Sequence, residues 1–146
     1  MTFARIFKTT ALALTIMGGL TVEAMAGGNN VTIKQWGSGN GAAGSQNGHW
    51  NKLSVYQDGY GNTSISTQDG FGNRTVVGQS GHKNTATTGQ TGSGNIAGVA
   101  QFGGHQDADT SQTGHGNAVG VIQTGHGNSA STAQHGNGNV AVVVQD

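Results

Sequence analysis

Glutamine stands at positions 35, 46, 57, 68, 79, 90, 101, 112, 123, 134 and 145, and every interval between them is eleven residues. A fixed period of this kind marks a repeat architecture, in which one small unit stacks on copies of itself. Two residues after each of the first ten glutamines comes glycine: Gly37, Gly48, Gly59, Gly70, Gly81, Gly92, Gly103, Gly114, Gly125 and Gly136. Five residues after each comes asparagine, at Asn40, Asn51, Asn62, Asn73, Asn84, Asn95, Asn117, Asn128 and Asn139. In the single remaining place stands Gln106, also a carboxamide. Each unit therefore reads Gln-x-Gly-x-x-Asn-x-x-x-x-x-Gln. The seven residues from Asn to Gln, rich in Val, Thr, Ile and Ser, predict a strand. The x-Gly-x-x piece predicts a tight turn, because glycine tolerates the positive φ that such turns use. Nothing in the unit is long enough for a helix.

Strand-turn-strand units of this length suit either antiparallel hairpins or the arcs of a solenoid. Side-chain alternation separates them, since strand residues alternate faces with a period of two. The positions that share the parity of Asn and Gln are Leu53/Val55, Thr75/Val77, Ala97/Val99, Val119/Val121 and Ala141/Val143 in alternate units. In the units between they are Ala42/Gly44, Ser64/Ser66, Ala86/Thr88, Ala108/Thr110 and Ala130/Thr132, all small or hydroxylated. Lys52, Arg74, Asp107 and Asp109 all lie on the opposite parity. The Asn/Gln parity is thus the inner one, and the true repeat is a pair of units: a bulkier strand facing a small-residue strand. A meander gives no reason for this. A parallel β-solenoid does, because equivalent residues of successive pairs then stack in columns about 4.8 Å apart. The fold class expected is all-β, an amyloid-like parallel solenoid of about five 22-residue strand-turn-strand rungs.

An inner face lined with carboxamides is costly unless every amide is paired. The residues expected to form a core amide ladder are Gln46, Asn51, Gln57, Asn62, Gln68, Asn73, Gln79, Asn84, Gln90, Asn95, Gln101, Gln106, Gln112, Asn117, Gln123, Asn128, Gln134, Asn139 and Gln145, each bonded to its own kind in the next rung. The expected turn glycines beside them are Gly48, Gly59, Gly70, Gly81, Gly92, Gly103, Gly114, Gly125 and Gly136. Composition fits a fold held by such ladders. Of 146 residues 28 are glycine, only 33 % are hydrophobic and 8 % charged, and proline and cysteine are absent. Collagen needs proline and a period of three. Without cysteine there is no disulfide, thiolate metal site or thiol nucleophile. A formal net charge of zero gives no electrostatic reason to expect nucleic acid or an anionic membrane as partner.

Residues 1–26 read as a secretory signal. Arg5 and Lys8 precede the apolar run Ala11–Met17, and Ala24-Met25-Ala26 supplies the small-x-small pattern of a cleavage site. Gly18, Gly19 and Glu23 interrupt the run well before the roughly 20 apolar residues of a spanning helix. The mature chain would be 27–146, with Lys34, Lys52, Arg74 and Lys83 against five aspartates, a net charge of −1.

These repeats resemble those of the curlins, the subunits of curli, the functional amyloid fibres of bacterial surfaces. The family repeat is Ser-x5-Gln-x-Gly-x2-Asn-x-Ala-x3-Gln, and the run from Asn51 through Gln57, Gly59 and Asn62 to Gln68 fits it closely. Asn replaces the leading Ser in every unit, and the last repeat stops after its first strand, at Gln145-Asp146. The resemblance covers at least residues 51–145. It implies a non-enzymatic fibre subunit without cofactor, secreted through periplasm and outer membrane to a cell-surface fibre that serves biofilm, adhesion and cell aggregation. It also implies partners: copies of the chain itself, a nucleating curlin, and an outer-membrane export channel with accessory proteins. Residues 27–50 look like the Gly-rich segment that addresses curlins to that channel, and 51–146 like the amyloid core. The family has a major and a minor, nucleating, subunit; the nucleator's last repeat is basic and irregular, whereas 139–145 here is Asn-Val-Ala-Val-Val-Val-Gln. The major subunit is the closer likeness.

A rival of another class is a soluble binding solenoid such as an ice-binding protein, which needs regular outward threonine rows. Thr63/Thr67 and Thr85/Thr87 do not continue into the other units. Asp107 and Asp109 share one outward face without the cleft that paired-carboxylate chemistry requires; flanking Gln106, they are better read as charged gatekeepers that slow assembly. Six histidines, at 49, 82, 105, 115, 126 and 135, fall in expected turns. His82, His105 and His126 would share one edge of the solenoid, spaced by roughly the 5 Å of one rung. There they could hold a transition metal, repel when protonated, or simply be solvated. Trp36 and Trp50 are candidates to cap the first rung. The apolar strand 139–145 has neither charge nor proline to blunt its edge, so it is expected to be the joining strand, with an incoming subunit completing a half-filled rung.

Overall fold

The computed structural model describes the backbone of residues 12–16 and 20–146, and side chains from Gly27 onward. In chain order the strands are β1 (Leu12–Ile16), β2 (Leu20–Ala26), β3 (Asn29–Ser38), β4 (Asn40–His49), β5 (Lys52–Tyr60), β6 (Thr63–Phe71), β7 (Arg74–His82), β8 (Thr85–Ser93), β9 (Ile96–Gly104), β10 (Asp107–His115), β11 (Ala118–His126), β12 (Ser129–Asn137) and β13 (Val140–Gln145). From β3 on, odd strands stack on odd and even on even, giving two sheets. All of these pairings are parallel and in register two units apart, so that Gln57 lies between Gln35 and Gln79, and Gln112 between Gln90 and Gln134. The molecule is a β-solenoid of about five rungs, as the alternation of bulky and small strands predicts.

Residues 29–49 complete a first rung, β3 and β4, paired in parallel with β5 and β6. Against it lie β2, antiparallel to β3, and β1, antiparallel to β4. The segment expected to be a leader, residues 1–26, thus falls partly on these two strands. Residues 1–11 and 17–19 of it lie outside the described residues.

The core is thin and two-sided. Ile33, Leu53, Val55, Val77, Val99, Val119 and Val121 face inward from the odd sheet, and Ala42, Ala86, Ala108 and Ala130 from the even one. The size difference is geometric. Leu53 reaches so far across that a Cβ on Gly44 would lie 2.4 Å from its Cδ2. Hydroxyls fill the remaining even positions, Thr88 donating to Ser66 at 2.8 Å. Ser54, of outward parity, is nonetheless buried, flanked in the ladder by Thr32 and Val76.

The turns differ from the sequence expectation. Strands do not stop at Gln; they run three residues further, through the glycine, and only a two-residue corner such as Gly61-Asn62 separates β5 from β6. The glycine bends the strand without leaving the ladder. Gly59 has φ 118°, and a Cβ there would sit 1.9 Å from the carbonyl oxygen of Gly81 in the next rung. Backbone conformation and stacking distance therefore both demand glycine. The corner itself uses the left-handed region, usually through a second glycine such as Gly61 or Gly72, but through Trp50, Lys83 and His105 in three units. Ladder bonds continue around it: Lys83 N–H donates to the Tyr60 carbonyl at 3.0 Å, and Lys52 N–H to that of Asn73 at 2.8 Å.

Two substitutions test this account of the corners. Gly81→Ala adds a Cβ 1.9 Å from the Gly103 oxygen and is expected to prevent folding, with loss of the β signal in circular dichroism. Lys83→Gly removes left-handed strain of about 1 kcal/mol and is expected to raise the guanidinium midpoint of unfolding.

Candidate functional site

The chemistry of this chain is concentrated in four columns of carboxamides that run the length of the solenoid. Along the odd sheet Gln35 Nε2 donates to Gln57 Oε1 at 2.6 Å, and the series continues Gln57 to Gln79, Gln79 to Gln101, Gln101 to Gln123 and Gln123 to Gln145 at 2.7–2.9 Å. Along the even sheet Gln46, Gln68, Gln90 and Gln112 each donate to the glutamine one rung on, ending at Gln134, at 2.6–2.9 Å. The second amide hydrogen crosses the core to a backbone carbonyl of the opposite sheet: Gln57 to Gly41 at 3.0 Å, Gln101 to Thr85 at 2.8 Å, Gln123 to Asp107 at 2.9 Å. Each amide thereby ties two rungs and two sheets. The glutamine columns are also directional, since every glutamine-to-glutamine donation runs toward the C-terminal rung. At the start of the odd column the buried Gln35 Oε1 has no partner among the described residues.

The asparagines behave differently from the expected ladder of like with like. Asn73 Oδ1 accepts the backbone N–H of Asn95 at 3.1 Å, while its Nδ2 donates to the Asp69 carbonyl at 3.3 Å and to the Gly92 carbonyl at 2.9 Å. Asn40, Asn51 and Asn62 repeat this arrangement. The asparagine is thus a corner clamp: it holds the turn four residues back, the strand-bending glycine of the next rung, and the next corner's amide. Asn95, Asn117 and Asn139 add a direct amide bond to the preceding asparagine at 3.1 Å. Asn84 keeps the bond to its glycine carbonyl, that of Gly103, at 3.2 Å. Asn128 is half-buried and bonds the Thr124 carbonyl. Nothing in the sequence separates this clamp from a ladder except the spacing Gln-x-Gly-x-x-Asn, which links the amide to the glycine carbonyl it grips.

Gln106 occupies a clamp position with one methylene too many. Its Nε2 still reaches the carbonyls of Phe102 and Gly125, at 3.1 and 3.2 Å. Its Oε1, however, is buried without a partner among the described residues, where an asparagine oxygen would accept from the next rung.

Asp107 and Asp109, the candidate gatekeepers, are exposed on the outer face of β10, with Thr85 and Ser129, and Thr87 and Ser131, as ladder neighbours. They stand side by side on an open strand face rather than across a cleft, so they offer no paired-carboxylate chemistry. On the opposite sheet Lys52 and Arg74 are direct ladder neighbours, and Lys34 sits 5.7 Å over the Tyr56 ring. Gly78 leaves an open groove of about 230 Å³ on that face, walled by Trp36, Tyr56 and Phe102. Trp36 is half exposed on the outside of β3, and Trp50 lies at a corner with its ring over Gly28. Neither caps the core. At the far edge of the odd sheet β13 pairs, among the described residues, only with β11, and Val140, Val142 and Val144 are 75, 68 and 64 % exposed.

The curlin associated repeat matches this chain three times, at residues 51–81, 73–103 and 81–114. No curated protein and no solved structure matches it.

The two kinds of amide make separable predictions. Gln101→Leu leaves one Gln79 Nε2 hydrogen and the Gln123 Oε1 acceptor unpaired and removes the bond to the Thr85 carbonyl, at about 1–3 kcal/mol for each buried group left unpaired, whereas outward Thr87→Ala is expected to cost less than about 0.5 kcal/mol. Gln106→Asn restores an acceptor to the interrupted clamp column and is expected to stabilise by about 1 kcal/mol. Guanidinium unfolding of the three variants checks both statements.

Proposed function

We propose that this chain, which belongs to the curlin family by its repeats, is a structural subunit that assembles into extracellular amyloid fibres by continuing its own solenoid from one copy to the next. What carries the reading is the edge of the stack. β13 presents a row of unpaired backbone groups on a parallel, in-register sheet, without charge or proline. Beside it the glutamine column ends on Gln145, whose Nε2 bonds the Ser129 carbonyl and has a second hydrogen to give. The other end of the same column has a buried oxygen, on Gln35, in need of a donor. With residues 1–26 removed, a second copy stacked head to tail satisfies both, and such a heterologous contact grows without closing.

The remaining steps rest on the family. The fibre is assigned to the cell surface and the biofilm matrix, with roles in adhesion and cell aggregation. Residues 1–26 act as a cleaved secretory signal and 27–50 address the chain to an outer-membrane export channel with its accessory proteins. A nucleating curlin starts growth. The regular, uncharged last repeat favours the major over the nucleating subunit. Ice binding is the weaker reading, because the outward column Thr63–Thr85 runs into Asp107, and Ile65–Thr87 into Asp109.

The decisive experiment is to hold purified 27–146 at neutral pH and follow it by electron microscopy and fibre diffraction. Fibrils with a meridional reflection at about 4.8 Å are expected; a persistent monomer with thermal hysteresis would favour the rival. Two variants sharpen the test. Asp107→Asn with Asp109→Asn is expected to shorten the lag, since charges beside an aggregation-prone strand slow its pairing. Deleting 139–146, or changing Val142 and Val143 to Lys, is expected to leave a largely non-fibrillar protein. Normal elongation of the truncated chain on wild-type seeds would show that β13 is not the joining edge.

A further inference from the structure

Tyr60, His82, Gly104 and His126 form one column at the corner that follows the odd strands, each one rung from the next. Three of the four carry rings, and the gap left by Gly104 draws two of them together. The rings of His82 and His126, two rungs apart, lie 5.5 Å centre to centre. His105, next to the gap and held in the left-handed region, brings a third imidazole 5.3 Å from His82. From the other side Tyr60 stacks on His82 at 5.3 Å and 12°, fixing the plane of that ring.

The nitrogens converge on the space above Gly104. A Cβ placed there would meet His82 Nε2 at 2.5 Å and His126 Nδ1 at 2.9 Å. The Gly104 carbonyl oxygen lies 3.4 Å from the same His126 nitrogen. With metal–nitrogen bonds of about 2.0–2.1 Å, two imidazoles on one tetrahedral ion hold their centres about 5.2 Å apart. Among the described residues no three ligating groups already surround one point at bonding distance. The third imidazole, on exposed His105, is a ring neighbour of His82 at the adjoining corner.

We propose that His82, His126 and His105 form a binding site over Gly104 for a divalent transition-metal ion. Imidazole donors select copper, nickel or zinc over calcium or magnesium, with copper(II) the tightest. The other histidines lack this arrangement. His115 Nδ1 is paired with Ser93 Oγ at 2.6 Å, and His49, whose Nδ1 contacts the Gly27 carbonyl as His126 contacts that of Gly104, has Trp50 rather than an imidazole at the adjoining corner. His135 stands alone on the outside of β12. The site needs only the solenoid, so it stands whether or not the chain forms fibres. In a fibre it would recur once per subunit along one edge.

The test is titration of the folded chain with copper(II) alone, followed by calorimetry and by the nitrogen hyperfine pattern in electron paramagnetic resonance. One ion per chain with at least two nitrogen ligands is expected. His82→Gln should weaken binding by about tenfold or more, and His135→Gln should not. Gly104→Ala is the sharper variant: its backbone is outside the positive-φ region, yet the added methyl occupies the space where the nitrogens meet. It should keep the β signal and lose the tight ion. Equal weakening by His82→Gln and His135→Gln, or undiminished binding in a folded Gly104→Ala chain, would overturn the site.

Discussion

In-register stacking of each rung on the next is the constraint on which everything else in this molecule depends. Once β5 lies on β3 and β7 on β5 with Gln35, Gln57 and Gln79 aligned, each side chain has its own counterpart as nearest neighbour, about 4.8 Å above and below. A residue type then succeeds or fails by how it packs against a copy of itself. Glutamine succeeds, because a carboxamide carries both donor and acceptor and can bond to a translated copy without rotation. A carboxylate or an ammonium cannot, and charged residues are correspondingly few and, among the described side chains, absent from the core. Lys52 beside Arg74 is such a ladder pair, flanked by Asn30 and Ile96, and both cations stand on an exposed face.

The same constraint explains how so little apolar surface supports an ordered fold. The inward hydrophobic residues are mainly Val and Ala, with single Leu and Ile side chains near the first rungs. What replaces a larger core is the near-complete pairing of buried polar groups. Glutamine spends one hydrogen on the next rung and one on the facing sheet; asparagine spends its amide on the corner and its oxygen on the next corner's N–H. Buried polar networks of this kind are stabilising only when every member is satisfied. That requirement is why the glycine carbonyl of each rung, which a neighbouring Cβ would strike, is also the oxygen that asparagine grips.

Much of this was legible in the sequence, and for a physical reason: a period-two alternation inside a period of eleven leaves one solution for which face is inward and which strands stack. The two-unit rung, the bulky and small strands, and the buried amides all follow from residues such as Val77 opposite Thr88 without any geometry. The corners were not legible. That strands persist through Gly59, that the tight bend sits at Gly61-Asn62, and that asparagine clamps the corner, adding a ladder bond only from Asn73 to Asn139, depend on carbonyl directions, which the residue pattern does not encode. Nor does parity reveal that Ser54, on the outer face, is covered by its neighbours. The 22-residue rung alone puts His82, Gly104 and His126 in one column, but that both imidazoles turn over the glycine is visible only in the side-chain positions.

A fold that is the same in every rung has no natural place for control, because each rung offers the same surfaces to the next. Individuality must come from departures from the repeat, and in this chain they gather in one stretch. Lys83 and His105 take left-handed corners that glycine takes elsewhere except at Trp50; Gly104 vacates a ring column; among the described residues Gln106 leaves an acceptor unpaired in the clamp; Asp107 and Asp109 put a close pair of acids on the outer face of the strand that follows. Together they set residues 83–109 apart from the regular units on either side. Stacking free energy accrues rung by rung in such an array, so a weak rung limits how far order spreads from either side. The broken positions, rather than the repeated ones, are where rate, ligand and environment can act on an otherwise uniform structure.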